Sequence, residues 1–127
     1  MKIISASDRT FIPASHENPS APGVWKKVLF TRDELQPGRV QMINWARLPA
    51  GSRFANHYHE DMQEIFLILQ GEAEITVGSQ THVLHRGDAI AIDAHEAHTM
   101  RNVGDIDVEY MAMGITADLG GRTVVVE

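Results

Sequence analysis

The 127-residue chain contains no cysteine. That absence excludes disulfides, a catalytic thiol, iron–sulfur clusters and every thiolate zinc site. Any metal held here has nitrogen and oxygen ligands. Positive charge is also scarce: 11 Lys and Arg stand against 17 Asp and Glu, a formal charge of −6. The basic residues form no run or stripe, and nucleic-acid affinity rests on clustered Lys and Arg. No nucleic-acid partner is therefore expected. No apolar stretch approaches the roughly 20 residues of a membrane span, so no membrane partner is expected either. The opening Met1-Lys2-Ile3-Ile4-Ser5-Ala6-Ser7-Asp8 lacks the sustained apolar core of a signal peptide, which predicts a cytoplasmic protein. The length suits one domain and is too short for two full cores.

What is present in excess is histidine. There are seven, and six of them fall between His57 and His98. Gly and Pro divide the chain into short β-prone segments: Trp25–Phe30, Val40–Leu48, Phe54–His59, Glu64–Gln70, Ala73–Val77, Thr81–Leu84, Ala89–Ile92, Ala97–Asn102, Val108–Ile115 and Thr123–Val126. Turn signals separate them, among them Gly78-Ser79-Gln80, Arg86-Gly87-Asp88 and Gly120-Gly121. Short strands at this spacing predict an all-β sandwich or barrel. Ile65 to Leu69 is apolar throughout, as in a strand buried on both faces. One helical signal appears at Thr31–Leu35, where Thr31 and Glu34 have capping-box spacing and Pro37-Gly38 follows. Residues 1–24 read as an N-terminal arm and loop, 25–115 as the β-barrel, and 116–127 as a C-terminal strand. The apolar tail Thr123-Val124-Val125-Val126 invites pairing with another subunit, so a homodimer is expected.

His57 and His59 lie two apart on an extended segment, so both point to one face. A hairpin after Glu60–Gln63 would return Glu64 beside them. His98 arrives on a later strand. Three imidazoles and a carboxylate facing one interior would make a mononuclear site for a divalent transition metal: Mn, Fe, Co, Ni, Cu or Zn. Asn102 shares parity with His98, although a turn-forming role before Val103-Gly104 suits it as well.

Gly51, five residues, His57, one, His59, four, Glu64, six and Gly71 resemble the first motif of the cupin superfamily at every fixed position. Gly87, His98 and Asn102 resemble the second motif at the right spacing, with Asp93 in place of its proline and His95 in place of its glycine. The resemblance implies a single-domain jelly-roll barrel of six to eight strands. It implies that His57, His59, Glu64 and His98 are the metal ligands, and it also points to a dimer. Family activities include dioxygenases, oxalate-handling enzymes, lyases, isomerases and cyclases. The expectation is a dioxygenase-like oxidoreductase acting on a small organic molecule. The alternatives are a non-enzymatic metal-dependent binding or sensing module, or an isomerase or lyase of the same fold. His95 is a rim acid or base, or a turn residue standing in for glycine. Tyr58 and Arg53, with Arg47, Gln63 and Tyr110, are polar groups that can reach a substrate. His82 and His85 read as exposed hairpin residues, and His16 has no readable role.

Overall fold

The computed structural model describes residues 1–117 and 122–127, so the expected turn at Gly120-Gly121 lies outside the described residues. In chain order the strands are β1 (Ile12–Pro13), β2 (Trp25–Thr31), β3 (Val40–Leu48), β4 (His57–His59), β5 (Met62–Gln70), β6 (Ala73–Val77), β7 (Gln80–Leu84), β8 (Ala89–Ile92), β9 (His98–Asn102), β10 (Val108–Thr116) and β11 (Thr123–Val125). They form two antiparallel sheets. One has the order β1-β2-β3-β10-β5-β8, and the other has β11-β4-β9-β6-β7. The sheets share one core, with Leu48, Phe66, Ile68 and Val108 from the first meeting Ala73, Ile75 and Met100 from the second. Hydrogen-bond ladders stay within each sheet, so the expected barrel is two facing sheets and not a ring closed by hydrogen bonds.

Alternation sets which side chains face the core. On β5, Met62, Glu64, Phe66 and Ile68 point inward, while Gln63, Ile65 and Leu67 are only half-buried. Leu69 is 37% exposed, so this strand is not buried on both faces as its apolar run suggests. Its ladder partners β10 and β8 cover its edges but not its outer face. Gly71 ends β5 at φ +84, with Asp107 and Val108 close behind its Cα, which is why this motif position takes glycine.

Several sequence boundaries shift. The expected strand from Phe54 shrinks to His57–His59, because side chains occupy the amides before it. Glu17 accepts from the Ala55 amide and Glu127 from the Asn56 amide, at 2.8 and 2.9 Å. The expected hairpin between the histidine pair and Glu64 does not form. The chain crosses to the other sheet after His59, and Glu64 meets the histidines across the core. The helical signal is a single 3-10 turn, Arg32–Glu34, with the Glu34 carboxylate accepting from the Thr31 amide at 3.1 Å. The tail pairs within its own chain, Thr123 opposite His59 and Val125 opposite His57, where pairing with another subunit was expected.

The N-terminal arm is also more than a surface loop. β1 joins β2, and Ala14 and Val24 enter the core at 8% and 1% exposure. Glu17 fastens the arm by accepting from the Gly23 and Ala55 amides, both at 2.8 Å. Gly23 lies so close to residue 53 that a methyl group on it would overlap the Arg53 carbonyl oxygen. Gly23→Ala is therefore expected to cost about 1–3 kcal/mol by overpacking. Thermal unfolding checks this, and an unchanged midpoint would contradict the seating of the arm.

Candidate metal centre

Four buried side chains converge between the sheets. His57 and His59 come from β4, His98 from β9 and Glu64 from β5. Their ligand atoms all lie within 4.8 Å of one another. His57 and His98 are directly opposed in the β4–β9 ladder, with ring centroids 4.4 Å apart. Glu64 Oε1 lies 3.2 Å from His59 Nε2 and 3.3 Å from His98 Nε2. Donors bound to one ion at about 2.0–2.2 Å lie on the order of 3–4 Å apart, so the set needs only slight contraction to share an ion.

Backbone acceptors fix the orientation of the rings. His57 Nδ1–H donates to the Ala55 carbonyl at 2.6 Å, and His98 Nδ1–H donates to the Glu96 carbonyl at 2.9 Å. A carbonyl only accepts, so in the neutral rings Nδ1 carries the proton and Nε2 presents a bare lone pair. His59 Nδ1 is held by the Thr123 hydroxyl at 2.9 Å. His57 Nε2 is buried with no hydrogen-bond partner among the described residues. Burial, followed by the neighbouring His16 and His98, lowers the His57 pKa to about 3, so this ring is neutral at ordinary pH. Burial works to raise the Glu64 pKa, but the close contacts of its carboxylate with the His59 and His98 rings overcome it and hold the carboxyl well below its usual range. Inward lone pairs facing a carboxylate, with Nδ1 held from behind, are the arrangement of metal ligands. The donor set therefore fits one divalent transition metal.

A cavity of about 190 Å³ opens beside this cluster. Its walls include His59 and Glu64, the apolar Phe54, Met62, Phe66 and Ala112, and the polar Lys26, Gln41, Asn44 and Tyr110. Burial, then the charges of Glu64 and Glu17, raises the Tyr110 pKa well above its usual value, so the phenol keeps its proton.

The other sequence candidates separate clearly. His95, Tyr58 and Arg53 do not line the cavity. His95 is exposed at φ +68, the conformation for which the motif uses glycine, and its amide donates to the His59 carbonyl at 2.8 Å. It is a turn residue, and its ring lies 5.9 Å from Tyr58 on the outer face of β4. Arg53 pairs with Glu127. Asp93 accepts from Gln63 at 2.8 Å, and Arg47 stacks over Phe11. Tyr110 does line the cavity. Asn102 combines both readings: it is buried, donates to the Leu48 and Ile106 carbonyls and accepts from the Gly104 amide. His82 and His85 are exposed beside the β6–β7 hairpin, as expected.

Sequence reasoning missed His16. It stacks on His57 at 4.0 Å and 21° and lines the cavity. Its Nδ1–H also donates to the Glu17 carboxylate, 2.8 Å away. The available signal was an unassigned histidine in the arm, but no local spacing tied it to the motif. Thr123 behind His59 and Lys26 in the cavity wall were equally invisible.

The sequence profile of the Cupin domain family matches residues 44–114. The chain belongs to the cupin family. It is 30% identical over 80 residues to the oxalate-binding protein of Thermotoga maritima, a stretch covering 63% of this chain and 66% of that protein. It is 29% identical over 86 residues to L-ectoine synthase of Streptomyces anulatus, covering 65% of this chain and 61% of that protein. These stretches span just under two thirds of either relative. The crystal structure of a predicted oxalate decarboxylase from Thermotoga maritima superposes with a TM-score of 0.80 at 26% identity, covering 91% of this chain and 99% of that one. The polyketide cyclase RemF from Streptomyces resistomycificus superposes at 0.78 with 17% identity, covering 100% and 87%, a likeness of fold alone.

Proposed function

We propose that the chain is a metal-dependent cupin in which His57, His59, Glu64 and His98 hold one divalent transition metal that binds a small oxygen-bearing organic molecule in the adjoining cavity. The observation behind this reading is the buried, unpartnered Nε2 of His57, aimed with the other donors at one point beside that cavity. When bound, such a metal supplies Lewis acidity at the oxygens of the ligand. Phe54, Met62, Phe66 and Ala112 give the cavity an apolar wall, and a low local dielectric strengthens polar contacts made against it. Tyr110 keeps a proton to donate as a hydrogen bond. The relatives are named for oxalate, ectoine and polyketides, which supports a small organic ligand but no single reaction.

Binding at the metal comes first in this proposal, and the dioxygenase-like chemistry expected from the sequence is a step beyond it. Metal analysis and ligand binding by the reconstituted protein test the reading. About one metal per chain and metal-dependent binding of small organic acids are expected. Binding that is equal in the metal-stripped protein would overturn it. Metal-dependent oxygen uptake with a bound acid would support the oxidoreductase step, and binding without turnover would support a sensing or binding module.

A further inference from the structure

The cavity wall contains one lysine and no arginine among its described residues. That lysine, Lys26, lies on β2 directly opposite Ala46 of β3. Opposed residues of an antiparallel pair share a face, and Ala46 is buried in the core, so Lys26 is directed inward. The small alanine leaves space above the sheet for its long stem. The ammonium has three protons to place, and its one hydrogen-bond partner among the described residues is the hydroxyl of Ser15, at 3.3 Å. Burial lowers the Lys26 pKa while the charge of Glu64 opposes that shift. The ammonium is therefore partly desolvated and shares the cavity wall with Glu64, and it forms no ion pair among the described residues. On the same wall, Asn44 Oδ1 is buried with no partner among the described residues, an acceptor left for a hydroxyl or amine.

We propose that Lys26 recognises a carboxylate at the end of the ligand remote from the metal. The cavity then selects small acids with metal-binding oxygens at one end and a carboxylate at the other. This inference rests on the metal-centre reading above. A lone ammonium beside one hydroxyl suits a carboxylate, because phosphate sites gather several N–H donors, as at helix N-termini or arginine forks. The volume of about 190 Å³ confines the ligand to a small acid.

The test uses the full chain loaded with Co(II) and titrated with malate and with 2-hydroxybutyrate, followed through the visible spectrum of the cobalt. The two acids share an α-hydroxycarboxylate head, and malate has a second carboxylate where hydroxybutyrate has a methyl group. Wild-type protein is expected to bind malate about tenfold or more tightly than 2-hydroxybutyrate, the scale of one hydrogen bond to a charged group. Lys26→Met is expected to lose that preference while keeping one cobalt per chain, and Lys26→Arg is expected to restore part of it. If the wild type takes up cobalt but binds both acids equally or binds neither, the Lys26 inference fails and the metal centre stands. A preference unchanged in Lys26→Met overturns it equally. If the wild type takes up no cobalt, the metal-centre reading itself fails and the inference falls with it.

Discussion

Replacing His59 with alanine is expected to lower the affinity for a divalent transition metal by roughly 100-fold or more. Groups that merely orient a ligand typically contribute 10–100-fold, and a ligand removed outright costs at least the upper end of that range. His59 is the informative position among the three imidazoles. His57 and His98 are each 1% exposed and pack against Phe54, so their truncation adds the cost of a cavity to the loss of a donor. His59 instead faces the ligand cavity, held from behind by the Thr123 hydroxyl. Its removal leaves His57, His98 and Glu64 in place with a donor missing on the open side. Metal content after dialysis against a chelator is the measurement. Full occupancy in His59→Ala would exclude this histidine from the centre.

Truncating Phe54 to alanine is expected to destabilise the protein by about 3–5 kcal/mol. Phe54 is 1% exposed and joins the parts of the fold that make the site. Its ring packs edge-on to Phe66 at 6.1 Å and lies 5.3 Å from His57, 6.0 Å from His98 and 5.5 Å from His16. Its amide donates to the Met100 carbonyl at 3.1 Å, which pins the segment entering β4 to β9. Removing the ring leaves a void where the arm and both sheets meet. A loss of this size is a large part of the 5–15 kcal/mol available to a domain. The midpoint of thermal unfolding is therefore expected to drop by roughly 10 °C or more. A drop of a degree or two would mean that the ring is not the junction described here. Metal affinity is expected to fall less than in His59→Ala, because the Nδ1 acceptors of His57 and His98 are backbone carbonyls and remain.

The cluster was legible in the sequence through its motif spacing, although the hairpin expected to close it does not form. His57, His59 and Glu64 are fixed by period-2 alternation and by one strand-to-strand crossing, and Gly71 marks the end of the strand that holds Glu64. The sequence left His95 open between a rim acid or base and a turn residue, and its positive φ places it in a turn where the motif has glycine. The rest depends on contacts between distant segments, which leave no periodic trace. His16 reaches His57 only because Glu17 binds the Gly23 and Ala55 amides. Lys26 reads as an ordinary surface lysine until the β2–β3 register sets it opposite Ala46. The apolar tail looked like an interface because an unpaired β-prone end wants a ladder, and β4 supplies one within the chain. The apolar run of β5 misled in the other direction, since aliphatic residues also occupy half-covered outer faces.

That His57, His59, Glu64 and His98 form one metal centre is tested most directly by anomalous diffraction from crystals of the cobalt-loaded protein. One anomalous peak is expected within about 2.0–2.3 Å of the three Nε2 atoms and a Glu64 carboxylate oxygen. A peak held by other residues, or none at these four in protein that retains cobalt, would contradict the assignment.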